Sequence, residues 1–226
     1  MTEMPQYQRV VKSFYFSVPL YLLVPVLFWW GFLFFGLPTQ GWLLALGAFG
    51  WFVALMLRGP IALLVKNLPR ARATNLIASA SGPLEEGVRF LLVLVWGSSL
   101  TSALSLGQGW AAIEVLFAVI NGLVLVIMLK RTDEKALQVK VALQATGNLN
   151  QSPLWGVFER IFASMFHIGS TLLLAKSLWF VLIMIPLHTG LNLSVMHLMK
   201  RSVLQTELFI AGVGILVMTT AFYLIL

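Results

Sequence analysis

The chain has 226 residues, no cysteine, a formal net charge of +7, 59% hydrophobic residues, 10% charged residues and a mean hydropathy of +0.92. A water-soluble fold of this size cannot bury so much apolar surface, and the composition implies an integral membrane protein of the all-α, polytopic helix-bundle class. The lack of cysteine excludes disulfides, thiolate nucleophiles and Cys-ligated zinc, so any hydrolytic chemistry must use carboxylates, histidines or hydroxyls.

A hydrocarbon core of about 30 Å takes about 20 helical residues. Cut at its charges, prolines and glycines, the sequence yields seven apolar runs of that length, near 13–36, 41–65, 74–98, 110–129, 153–175, 178–198 and 207–226. The first reads as an anchor and not a signal peptide, because no small-residue cleavage site follows it. In the second, Ala45, Gly47, Ala48 and Gly50 suit a close helix contact within the protomer. The third holds Ser81-Gly82-Pro83, then Glu85, Glu86 and Arg89. Gly107-Gln108-Gly109 reads as a short turn on the outer side, before the fourth run. Near 131–147, Leu137, Val141 and Gln144 share one side of a helix that also carries Asp133, Glu134, Lys135 and Lys140, which predicts a helix at the membrane surface. No linker or break in composition divides residues 1–226 into more than one transmembrane domain.

Charge orients these runs. With the N-terminus cytoplasmic, Arg9, Lys12, Lys66, Arg70, Arg72, Lys130, Arg131, Lys135, Lys140, Lys200 and Arg201 all fall on the cytoplasmic side, and the C-terminus lies outside. The net charge is then a topology signal, at most a contact with anionic lipid, and not a sign of nucleic-acid binding. A bacterial cytoplasmic membrane is the expected location.

Ionisable residues at membrane depth cost about 2.5–3.5 kcal/mol each on insertion scales and mark ion paths, proton relays or chemistry. Counted from the helix ends, Glu85, His167 and His188 lie near the midplane, Glu114 lies toward the outer side, and Glu159 and Arg160 lie toward the cytoplasmic side. Asn192 follows His188, and Thr171 follows His167, by one turn on the same face. Each residue also has a plain structural role open to it. Glu85 and Arg89 are placed for an i,i+4 ion pair, but Glu86 points about 100° away and cannot share that arginine equally. The histidines suit helix contacts, His197 suits the interface, and Glu159 and Arg160 suit structural pairing with other helices. The Ser81-Gly82-Pro83 break is either a kink or a device that frees backbone groups beside a cavity. Signatures for helix-borne zinc, for a phosphate loop and for a nucleophile elbow are missing. Zinc held by His167, His188 and a glutamate such as Glu114 is chemically allowed, as is a metal-free carboxylate site.

Four motifs occur in order on successive runs: EExxR at Glu85, Glu86 and Arg89, an aromatic-xxx-Glu from Trp110 to Glu114, HxxxT from His167 to Thr171, and HxxxN from His188 to Asn192. In these the chain resembles the CPBP superfamily of CAAX prenyl endopeptidases and bacteriocin-processing (Abi) intramembrane proteases. Gly41-Trp42, the Leu57-Arg58-Gly59-Pro60 turn, Gly107-Gln108-Gly109-Trp110 and Glu159-Arg160 through His167-Ile168 look like the YhfC type. The prenyl-peptidase pattern has its arginine one residue later and a histidine where Glu114 stands; the glutamate is similar to the PrsW type, whose first motif ends in lysine.

The resemblance implies an endopeptidase acting on a membrane-embedded or membrane-proximal peptide or protein. In it Glu85 is the general base, supported by Glu86 and Arg89. His188 binds or polarises the water, Asn192 steadies the oxyanion, and His167 and Glu114 complete the polar cavity. Two other expectations fit the same residues: a proton- or cation-linked transporter component with a moving glycine-proline gate, and a non-catalytic immunity or binding protein on the same scaffold.

Overall fold

The computed structural model describes residues 5–145 and 152–225. Its elements are α1 (Pro5–Phe34), α2 (Gly41–Val65), α3 (Arg70–Trp96), α4 (Leu100–Lys130), α5 (Glu134–Ala145), α6 (Leu154–Lys176), a single 3-10 turn (Leu178–Phe180), α7 (Val181–Leu198) and α8 (Val203–Ile225). No strand occurs among the described residues, and the all-α class holds.

Among the described residues six helices are long and apolar enough to cross a membrane: α1, α2, α4, α6, α8, and α7 together with the turn before it. The remaining long helix, α3, is the run expected near 74–98. At 27 residues it has the length to span, but Arg70, Arg72, Glu85, Glu86 and Arg89 make it polar. The last three are buried, so that polarity faces other helices. Large side chains such as Phe16, Trp30, Leu64, Val95, Leu182 and Leu216 stand exposed around the outside. In water such a surface would aggregate, whereas hydrocarbon is its natural solvent. The protein is an integral membrane protein.

Inside, α3 packs between α2 and α7, α4 lies against α2, α6 and α1, and α6 lies along α8. Two local devices make this packing possible. The first is glycine at the crossings. A Cβ on Gly47 would fall 2.1 Å from the Leu106 carbonyl oxygen, and one on Gly109 would fall 1.9 Å from that of Leu44, so α2 and α4 meet backbone to backbone. Gly47 and Gly50 therefore serve a contact within the protomer, as their spacing predicts. The second is a helix stop. Gly36, at φ +74°, ends α1; its N–H bonds the Leu33 carbonyl and that of Leu37 bonds the Phe32 carbonyl at 2.9 Å, a Schellman closure.

Three local expectations change. Gly107-Gln108-Gly109 is not a turn but the buried third turn of α4, which starts ten residues earlier than its hydropathy suggests because Ser99 caps it through the Ser102 N–H. Leu57-Arg58-Gly59-Pro60 is likewise helical, within α2. The expected surface helix exists as α5, with Leu137 and Val141 exposed; Ala136 is its buried contact, and Gln144 donates to the Tyr7 hydroxyl. Lys130 and Lys140 lie over Tyr15 and Tyr7, which brings the start of α1 and the end of α4 to the same end of the bundle.

Candidate functional site

The site begins with the break in α3. Proline at position 83 has no N–H to give the Ser79 carbonyl one turn back, so that acceptor must find another donor. It takes the Thr189 hydroxyl of α7 at 3.3 Å. Gly82 admits α7 at that point: a Cβ there would lie 2.1 Å from Thr189 Oγ1 and 2.6 Å from the Ile185 carbonyl oxygen. Ser81 Oγ accepts from Asn192 Nδ2 at 2.6 Å. The Ser81-Gly82-Pro83 segment thus joins two helices through a freed backbone group, and α3 runs on through it without ending. The next turn carries Glu85, Glu86 and Arg89.

These three do not pair as sequence spacing suggests. Arg89 turns to Glu86, at i,i+3, and donates from Nη1 to both carboxylate oxygens at 2.6 and 2.8 Å; both residues are almost wholly buried. Glu85 is paired instead with Arg58 of α2. The i,i+4 pairing fails because the second glutamate shares the dry face of α3 with Arg89, while Glu85 faces the interior hollow next to α2. Arg89 also stacks on the Trp110 ring, 4.5 Å from its centroid, which leaves that guanidinium locked on both sides.

From this ion pair the polar chain continues onto α6 and α7. Arg89 Nη2 meets His167 Nδ1 at 2.8 Å. A guanidinium has only donors, so Nδ1 accepts and the proton of His167 sits on Nε2. That Nε2 is 2.5 Å from Glu114 Oε2. Glu114 is bound at its other oxygen by Arg160, which also holds Glu159. His188 Nδ1 lies 2.7 Å from Glu86 Oε1. With Glu86 ion-paired and accepting, Nδ1 is the donor, and in the neutral form of His188 the Nε2 lone pair points away from Glu86. It faces Glu85 Oε2 across 3.8 Å. Glu85 Oε2 is buried and has no hydrogen-bond partner.

A hollow of about 590 Å³ opens on these groups. Its polar wall includes Arg58, Glu85, Glu114, Arg160, His167, His188 and Asn192, and its apolar wall includes Trp51, Phe117, Phe166, Leu191 and Ile210. Glu86 and Arg89 are not part of the wall. Glu85, His167 and His188 meet at one level, as their depths predict. Glu114 does not lie toward the outer side: α4 begins at Leu100, which sets Glu114 at mid-helix, level with His167. His197 stands apart, exposed and bonded to its own helix at the Leu193 carbonyl. Arg58 is the site residue that sequence reasoning missed. Its signals were a lone arginine inside an apolar run and its place in the Leu57-Arg58-Gly59-Pro60 segment of the resemblance, neither of which tied it to Glu85.

Glu85, His167 and His188 each bring a donor atom within 4.8 Å of the others, a grouping able to hold a metal ion; Glu114, expected as a metal partner, belongs to the Arg160 cluster. The donor chemistry fits unevenly. Glu85 Oε2 has no hydrogen-bond partner and faces His188 Nε2 at 3.8 Å, and Glu86 backs His188 as an outer carboxylate does in metal sites. The lone pair of His167 is occupied by Arg89, so this residue would have to leave Arg89 to become a ligand. No family model, curated protein or solved structure matches the chain.

Proposed function

We propose that this protein is an intramembrane endopeptidase in which Glu85 activates water against a membrane-embedded or membrane-proximal peptide. The observation that carries this reading is the unpartnered Glu85 Oε2 facing His188 Nε2 at 3.8 Å on the wall of the hollow. Two acceptors at that separation suit a water molecule that donates one hydrogen to each. Attack of the water oxygen on the scissile carbonyl carbon passes a proton to Glu85 Oε2. When the C–N bond breaks, the same proton goes to the departing amine, and acid and amine products balance. General-base help of this kind contributes about 10²–10⁴ in rate. The second hydrogen of Asn192 Nδ2 is the donor available to a developing oxyanion, while the His167 Nε2–H is directed at Glu114 Oε2. The apolar wall favours an extended apolar segment. The reading agrees with the resemblance to the CPBP superfamily and its YhfC type, with an N-terminus in the cytoplasm and a bacterial cytoplasmic membrane as its setting.

A metal-assisted form of the same hydrolysis is favoured by one observation, the grouping of Glu85, His167 and His188. A bound divalent metal would supply Lewis-acid polarisation and a more acidic water. Glu85 and His188 would hold it.

The test is cleavage of a library of single-span peptides by the purified protein in liposomes. Wild type is expected to cut, and Glu85→Gln is expected to lose at least about 10²-fold while still inserting and folding. Cleavage unchanged in Glu85→Gln rejects the reading. Proton or solute flux with no cleavage favours the transporter alternative, and a phenotype that survives loss of both Glu85 and His188 favours the immunity or binding protein.

A further inference from the structure

Two arginines reach the acidic pair of α3, and they do different things. Arg89 is 1% exposed and ties together Glu86, His167 and Trp110, with no part in the cavity wall. Arg58 comes from α2, stands in that wall with its side chain 29% exposed, and meets Glu85 at Oε1 alone. No other hydrogen bond reaches the Glu85 carboxylate among the described residues. Its rotation is therefore set by one contact: with Oε1 on Arg58, Oε2 is turned to His188.

We infer that Arg58 is the positioning residue for Glu85, holding one carboxylate oxygen so that the other meets water and His188. This deepens the peptidase reading and rests on it. A half-exposed ion pair in a high-dielectric setting adds little to folding stability. Here Arg58 is 29% exposed on the wall of the hollow and Glu85 is 5% exposed, so the contact is open to water on the arginine side and fixes the direction of the carboxylate on the buried side. A catalytic group displaced by about 1 Å loses about 10²-fold in rate, which is the scale on which such aiming acts.

The experiment compares Arg58→Ala and Arg58→Lys with wild type in liposomes. The alanine variant is expected to lose at least about tenfold in kcat with KM nearly unchanged. Lysine, and guanidinium ion added to the alanine variant through the open cavity, are each expected to restore most of the loss, which a purely structural contact would not allow. Full turnover in Arg58→Ala, or a loss that neither lysine nor guanidinium reverses, overturns the inference while leaving the peptidase reading in place. A wild-type protein that cuts nothing counts against the peptidase reading itself. In that event the pair is judged by a thermal-melt cycle of Arg58→Ala and Glu85→Gln: effects that add independently overturn the positioning contact, and non-additive ones support it.

Discussion

Glu86 and Glu85 are neighbours of identical chemistry, yet their surroundings predict opposite phenotypes. Glu86 is fully buried, accepts both hydrogen bonds from Arg89 Nη1 and lies 2.7 Å from His188 Nδ1. Glu86→Gln keeps the shape and one acceptor oxygen but removes the negative charge, leaving Arg89 a buried cation without a counter-ion. Breaking a buried pair from one side costs about 3–5 kcal/mol, and the retained acceptor argues for the low end, about 3. At about 2–4 °C per kcal/mol for a chain of this length, the melting temperature falls by roughly 6–12 °C. Glu85→Gln loses a partner that is 29% exposed, a pair worth about 0–1 kcal/mol, and the shift stays below about 4 °C. Tryptophan fluorescence melts in detergent measure both, using the eight native tryptophans. Activity moves the other way: Glu85→Gln stays at least about 10²-fold below wild type at every temperature, and Glu86→Gln keeps residual cleavage below its lowered melting point. Equal melting shifts, or a Glu86→Gln protein as stable as wild type, would refute the division of the two carboxylates into cavity base and scaffold.

Other perturbations read other parts of the structure. Gly82→Ala forces a methyl group into the Thr189 hydroxyl and the Ile185 carbonyl, and is expected to destabilise by about 1–3 kcal/mol in the same melts. Thr189→Val leaves the Ser79 carbonyl without its donor and is expected to cost about 0.6–1.7 kcal/mol, the range for interhelical hydrogen bonds in membranes; a neutral result would mean the freed carbonyl has another partner. If a metal assists, prolonged chelation abolishes cleavage and zinc restores it, while the metal-free form is indifferent to chelators. Outside the membrane, the Ala136 N–H and the Arg131 guanidinium hold the Asp133 carboxyl below its ordinary value of 3.8. A depressed value means that the capping contribution is present above the unfolded value and is lost as pH falls through the folded one. The protection of α5 amides, taken against the intrinsic exchange rate at each pH, should therefore fall as the medium is acidified below pH 3.8, and Asp133→Asn should blunt that dependence.

Much of the fold was legible because membrane solvent simplifies the reading. Apolar length set most helices, and counting from their ends put Glu85, His167 and His188 on one level. What sequence could not supply was side-chain partnership between helices. Arg89 is equally reachable from Glu85 at i−4 and Glu86 at i−3, and the choice was made by His188 and Trp110, which arrive from α7 and α4. Arg58 gave no local sign of its role, since its partner lies 27 residues away. Glu114 was misplaced because Gly107 and Gly109 read as a turn. In a bundle the same glycines can be contact surface, and only Leu44 and Ile168 packed against them reveal it. Local rules find elements and depth; tertiary contacts decide which charges face water.

The central claim is that a water-filled hollow inside the bundle reaches the acid and the imidazoles. Because the chain has no native cysteine, single cysteines report access without a background. Ala118→Cys and Ala163→Cys lie in the cavity wall, while Ile120→Cys and Leu216→Cys lie on the exposed apolar exterior, well inside α4 and α8. In liposomes the first two are predicted to react rapidly with a small charged thiosulfonate, and the second two to stay unmodified because a thiolate does not form in hydrocarbon. Cavity positions that react no faster than the exterior ones would contradict the account.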